Sequence, residues 1–101
     1  MAKKLDPVKP GEILLEEFMV PYAITQNKLA RDLDVPAARI NDIVHGNRSI
    51  TIDSALRFSV YFKTTPEFWL NLQNRYDLKL AKENILPEIE QSIRPITKAA
   101  A

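Results

Sequence analysis

Four neighbouring side chains, Ala37, Ala38, Arg39 and Asn41, carry the groups that read base edges in duplex DNA. A guanidinium donates two hydrogen bonds to guanine, a carboxamide pairs with adenine, and an alanine methyl meets the thymine methyl. Asp42 follows in the same stretch. Turning a helix by about 100° per residue puts Ala38, Asp42 and His45 opposite the apolar side formed by Ile40, Ile43 and Val44. Ala37, Arg39 and Asn41 fall on its flanks and toward its N-terminal end. Downstream, His45-Gly46-Asn47-Arg48-Ser49 is a short polar loop of the kind that holds a phosphate. His45 fits equally well as a side chain favoured by the negative end of a helix dipole.

Such residues act only if a scaffold presents them, and the scaffold is readable. Glycine occurs twice in 101 residues, and apolar residues recur at spacings of three and four, which predicts an all-α fold: a compact bundle of about five helices. Pro10 opens a helix to about Val20, with Ile13, Leu14 and Phe18 inward and Glu12, Glu16 and Glu17 outward. Thr25 caps a second helix, 26–33, with Leu29, Ala30 and Leu33 inward. A third, 36–45, comes after a turn at Asp34-Val35 and ends at Gly46, where a left-handed residue is wanted. Thr51 caps a fourth, Ile52 to about Phe62, expected to bury Ile52, Ala55, Leu56 and Ser59. Thr65-Pro66 starts a fifth, running to about Lys82. Pro87 and Pro95 break the chain beyond it. The expected organisation is an arm over 1–9, one domain over 10–82 and a partly ordered tail over 83–101.

Helices 26–33 and 36–45 are joined by a turn too short for antiparallel packing, so they must cross steeply, as in a helix-turn-helix. Ala30 is small where the second helix approaches, Val35 plugs the turn, and Ile40 and Val44 anchor the second helix from beneath. The pattern Gln26-x-x-Leu29-Ala30-x-x-Leu33-x-Val35-x-x-x-x-Ile40-x-x-Ile43-x-x-Gly46 resembles the repressor-like family of phage Cro and cI proteins, and so implies a lambda-repressor-like domain. Asp34 stands where many members have glycine, and aspartate tolerates the left-handed backbone better than most residues. The resemblance implies that helix 36–45 lies in the major groove, with Ala37, Ala38, Arg39, Asn41 and Asp42 toward the bases. It further implies that Gln26 touches a phosphate, and Thr25, His45, Asn47 and Arg48 are expected to join it there.

The flanks narrow the likeness. Lys9-Pro10-Gly11-Glu12-Ile13-Leu14-Leu15-Glu16-Glu17-Phe18, then Gly46-x-Arg48-x-Ile50-Thr51, then Thr65-Pro66-Glu67-Phe68-Trp69-Leu70-Asn71-Leu72-Gln73-x-x-Tyr76-Asp77-Leu78 are similar to the HigA-type antitoxins, also called virulence-associated protein I. Lys9 stands where family members have histidine. This resemblance implies two partners, a palindromic double-stranded DNA operator and a RelE/HigB-like toxin that cleaves mRNA. A stand-alone repressor without a toxin partner is the alternative. Helix 66–82 carries a stripe of Phe68, Trp69, Leu72 and Tyr76, with Leu70, Leu78 and Leu80 away from it. Apolar on two sides, it is expected to bury surface against a second copy as a homodimer.

Composition sets the remaining bounds. The chain has 46% hydrophobic and 27% charged residues, an ordinary globular balance. With no cysteine, disulfides, thiolate metal sites and cysteine nucleophiles are excluded, and one isolated histidine makes no metal site. No nucleophile–base pair or carboxylate cluster is placed to converge, so neither an enzyme nor a cofactor is expected. The N-terminal segment reads as neither a signal peptide nor a membrane span, which leaves a cytoplasmic protein. A net charge of +1 excludes an indiscriminate polyanion binder, so DNA contact must rest on placed residues and more than one copy.

Overall fold

Pro10 sits in the first turn of α1 (Pro10–Ile13), where its missing N–H costs nothing. The helix then widens into a π-helical stretch, Leu14–Met19, closed by the Val20 N–H to Leu15 carbonyl bond at 2.9 Å. Sequence periodicity predicts an ordinary helix here. The two fully enclosed side chains, Leu14 and Met19, are five residues apart. An α-helix would turn them about 140° from each other, whereas an i→i+5 ladder brings them to one side.

This computed structural model describes residues 7–99 and places six helices and no strand among them. Most of the arm read as 1–9 lies outside the described residues. The remaining elements are α2 (Gln26–Leu33), α3 (Ala37–Val44), α4 (Ile52–Phe62), α5 (Pro66–Asn84) and α6 (Leu86–Ser92). All three threonine caps form: Thr25, Thr51 and Thr65 accept from the N–H groups of Lys28, Ser54 and Phe68 at 3.1, 3.2 and 3.2 Å. Asp34 ends α2 in the left-handed region (φ 58°, ψ 48°), and Gly46 takes φ 78° just beyond α3. Pro87 does not disrupt its surroundings, because it occupies the first turn of α6.

The core gathers around Trp69, which is fully enclosed. Its ring packs on Phe18 and Phe58 with centroids 4.8 and 4.9 Å away, and its indole N–H donates to Thr64 Oγ1 at 2.7 Å. Burying an aromatic of this size while satisfying its one polar atom is strongly stabilising. Trp69 therefore offers no surface to a second copy, contrary to the expectation that it is a dimer contact. Phe68 is one-third exposed and packs tilted against Phe18 and edge-on against Trp69. Leu72 and Tyr76 are half-buried toward Ile13. Much of the expected dimerisation stripe is thus turned back onto its own chain.

On α4 the expected face is half right. Ala55 and Ser59 are buried, with Ser54 and Phe58, but Ile52 and Leu56 are 67% and 50% exposed. The helix carries two apolar rows, and Ile52-Leu56-Val60 has as good a period as the row that packs. Contact with Trp69 decides between them, because Phe58 is the residue it needs.

Gly11 fixes where α1 meets α3. A β-carbon there would lie 2.0 Å from the Ile43 carbonyl oxygen and 2.8 Å from that of Val44. Both obstacles are backbone, so no side chain can move aside. Gly11→Ala is expected to push α1 off α3 and destabilise the fold by about 1–3 kcal/mol, read as a lowered midpoint in urea unfolding; an unchanged midpoint would contradict the close approach.

A candidate DNA-reading face

The outer face of α3 is held from all other sides. Ile40 and Ile43 are buried beneath it, with Val35 and Val44 half-buried beside them. Ala37, Ala38, Asn41 and His45 are exposed, while Asp42 is half-buried. The centre of the exposed strip therefore lies nearer Asn41 than the helical wheel placed it. Asn41 Nδ2 donates to Gln26 Oε1 at 3.0 Å, tying the first residue of α2 to the middle of α3. The Asn41 carboxamide oxygen and the Gln26 amide group are left to face outward as acceptor and donor.

Arg39 is placed differently from expectation. Its Nη1 donates to Asp53 Oδ2 at 2.5 Å, and Arg57 Nε donates to the same oxygen at 2.9 Å. Arg57 Nη1 also reaches the Leu33 carbonyl at 2.8 Å. The Arg39 side chain is 26% exposed, and its Nε is buried without a hydrogen-bond partner among the described residues. The cause is the capped start of α4, where an acidic side chain is favoured and Asp53 lies within reach of both guanidinium groups. Arg39 thus joins α3 to α4 instead of standing free on the flank. The Asp53–Arg57 pair is a local i,i+4 pattern on α4 that could have been read, whereas its link to Arg39 spans fourteen residues and leaves no local signal.

The loop after α3 is also more committed than it looks. The N–H groups of Asn47 and Arg48 both go to the Asp42 carbonyl, at 2.8 and 3.2 Å, and that of Gly46 to the Ile43 carbonyl at 3.1 Å. Of the loop's backbone donors from Gly46 to Ser49, the three from Gly46 to Arg48 are spent within the fold. The side chains of Asn47, Arg48 and Ser49 are exposed. His45 Nδ1 lies 2.8 Å from the Asn41 carbonyl, which makes it a donor that caps the end of α3. The Thr25 hydroxyl uses its oxygen as a cap and keeps its proton for another acceptor.

Two further residues bear on this face. Gln73, buried on α5, accepts from the Ile50 N–H at 2.8 Å and donates to Asp77 Oδ1 at 2.9 Å, which pins the chain leaving the loop. Lys9 lies across Gly46, its Cδ 3.3 Å from where a β-carbon would sit, and shares a cleft with Arg48. The sequence marked Lys9 only as a departure from histidine.

Two carboxylates are shifted below their ordinary value. The hydrogen bond from Arg57, then that from Arg39, lowers Asp53. The Tyr61 hydroxyl, at 2.5 Å, and then Lys28, at 2.9 Å, lower Asp32, while the Tyr61 phenol is raised in return.

Packed α2 and α3, a left-handed turn at Asp34 between them, and an exposed strip over a buried anchor define a helix-turn-helix domain of the repressor-like kind. No family model matches the chain. Virulence-associated protein I of Dichelobacter nodosus is 43% identical over 81 residues, covering 80% of this chain and 75% of the relative. Antitoxin HigA-1 of Vibrio cholerae is 36% identical over 75 residues, covering 74% and 70%. The structure of the Pseudomonas aeruginosa antitoxin HigA with the higBA promoter superposes with a TM-score of 0.86 at 43% identity, covering 90% of this chain and 99% of that one. The chain belongs to the family of HigA antitoxins and virulence-associated protein I. No helix among the described residues is long and apolar enough to cross a membrane.

The depressed Asp53 makes an acid-range prediction. Its contribution to stability is complete above the ordinary aspartate range and is lost as pH falls through its lowered folded value. In urea unfolding followed over an acid series, Asp53→Asn is expected to flatten the loss of stability with falling pH and to lower the midpoint at neutral pH. A slope equal to that of the unsubstituted chain would show that the Arg39–Asp53–Arg57 cluster does not hold α3 to α4.

Proposed function

We propose that the chain is the antitoxin of a type II toxin–antitoxin module. It binds a palindromic operator as a homodimer to repress its own promoter, and it neutralises a RelE/HigB-like mRNA-cleaving toxin by direct binding. It works in the cytoplasm by binding alone, without catalysis or a cofactor. The observation that carries the DNA half is the 3.0 Å bond between Asn41 and Gln26, which presents a rigid polar pair beside the exposed methyls of Ala37 and Ala38. The likeness to an antitoxin structure that includes its promoter supports the same half. Kinship with Antitoxin HigA-1 supports the toxin half.

Roles divide along the geometry. Asn41 reads a base, with Ala37 and Ala38 on thymine methyls and Asp42 at the rim of the strip. Gln26, Thr25, Asn47, Arg48 and Lys9 hold the backbone, and His45 squares off the helix end. Arg39 serves the reading face by fixing the pose of α3. With a net charge of +1, one copy has little general attraction for DNA, so two placed faces on half-sites about one helical turn apart supply the affinity.

Fluorescence anisotropy with the DNA upstream of the gene separates these roles. Asn41→Ala is expected to cost roughly 1–3 kcal/mol on the operator and to relax preference at one position per half-site. Arg48→Ala is expected to weaken all sequences alike and to reduce the slope against salt by about 1. Equal losses on operator and random DNA from both variants would overturn the division.

A second test separates DNA from toxin. Ala38→Glu sets a negative charge on an exposed site with no core contact, where folding changes by about 0.5 kcal/mol or less. It is expected to abolish repression of an upstream reporter while still rescuing growth under toxin induction. Loss of rescue in a variant folded by circular dichroism would place toxin and DNA on one surface.

A further inference from the structure

Two aromatic side chains face solvent at the end of the molecule away from α3. Tyr22 is 66% exposed and Phe68 37%. They are the ends of one strip of rings. Phe68 meets Phe18 with centroids 5.9 Å apart, Phe18 meets Phe62 at 5.0 Å, and Phe62 meets Tyr22 at 6.4 Å. The turn that carries Tyr22 is closed by bonds from the Ala23 N–H to the Val20 carbonyl and from the Ile24 N–H to the Met19 carbonyl, at 3.0 and 2.9 Å. The ring is therefore held in place before any partner arrives. Beside it lies a cleft of about 350 Å³ lined by Tyr22, Ile24, Tyr61, Phe62 and Lys63.

Both helices that lead to this end start against α3. α1 packs on it at Gly11. α4 begins where Asp53 takes Arg39 and runs about 15 Å to Lys63. The charges along the strip are unequal. Glu16 and Glu17 precede Phe18, Glu67 precedes Phe68, and Lys63 follows Phe62, while Asp32 and Lys28, which reach Tyr61, offset each other. All three glutamates are exposed and form no ion pair among the described residues. A preset aromatic strip in a negative surround suits a cationic protein partner. Nucleic acid has the wrong sign for it, and its own image across a two-fold axis would set like charges together.

We propose that this aromatic end is where the mRNA-cleaving toxin docks, with the toxin's cationic surface against Glu16, Glu17 and Glu67 and one of its apolar side chains in the cleft beside Tyr22. A protein that cleaves mRNA has to hold a polyanion, so it carries such a surface. Covering that surface with carboxylates binds the toxin and also removes the charge that RNA needs. The strip lies about 15 Å from α3 along α4, beyond the screening length of about 8 Å at physiological salt. Operator and toxin thus occupy opposite ends of one chain. The inference rests on the toxin half of the proposed function and names the surface that performs it.

The test titrates the cognate toxin, purified from the co-expressed pair, into the full chain by calorimetry at two salt concentrations. Tyr22→Ala is expected to weaken binding about tenfold or more and to leave its salt dependence unchanged. Glu17→Gln with Glu67→Gln is expected to weaken it about tenfold and to flatten the salt dependence. Tyr22→Phe keeps the ring and is expected to bind like the unsubstituted chain, which separates a lost contact from a lost fold. Circular dichroism and operator anisotropy are expected to be unchanged in all three variants. An unsubstituted chain that leaves the toxin unbound overturns the toxin half of the proposed function and this docking with it. A chain that binds toxin while Tyr22→Ala or the glutamate pair binds as tightly overturns the docking surface alone. A Tyr22→Ala chain that loses mass in sedimentation without toxin would assign the strip to a second copy, and overturns it too.

Discussion

The outer face of α3 is free because its inner face is held against backbone. At Gly11, α1 approaches the Ile43 and Val44 carbonyls more closely than any β-carbon permits. Three polar grips finish the clamp. Asn41 bonds Gln26 at the start of α2, Asp53 draws Arg39 toward α4, and Gln73 holds the Ile50 N–H from α5. A short helix of eight residues has little stability of its own. Its pose is therefore a property of these contacts, and any residue that loosens them acts on recognition without touching DNA.

This explains why the helices were legible in the sequence and the division of labour was not. Each threonine cap, the left-handed Asp34 and the Gly46 stop are local events, decided within four residues. The anchors Ile40 and Ile43 follow from periodicity alone. Arg39 does not, since nothing within a helical turn of it reveals a carboxylate fourteen residues later. The same limit misassigned Ile52 and Leu56, which belong to a row as regular as the buried one. Trp69 shows the converse error. Its residue type suits an interface or a core equally, and the cluster of Phe18, Phe58 and Thr64 around it makes it core.

Charge is distributed in the same economical way. Asp53 and Asp32 each collect two donors and lie in depressed carboxylate states, linking α3 to α4 and α2 to α4. Neither leaves its negative charge unopposed near the reading strip. Two exposed cations, Arg48 and Lys9, line one cleft with Gly46. A chain near neutrality therefore presents a locally positive edge beside a neutral strip of methyls and carboxamides, which suits contact by fit over attraction at a distance.

Such a face has a consequence for assembly. One polar pair and a few methyls discriminate weakly between sequences, because each good base contact contributes about 1–3 kcal/mol. Specificity then has to come from joining two faces at a fixed spacing, where a misfit in one half-site costs the whole. The elements free to set that spacing are those the core does not use: the exposed Ile52-Leu56-Val60 row of α4, and α6. The rigidity of the clamp under α3 matters here too, since a fixed spacing between two faces reaches the bases only if α3 cannot rock on its own domain.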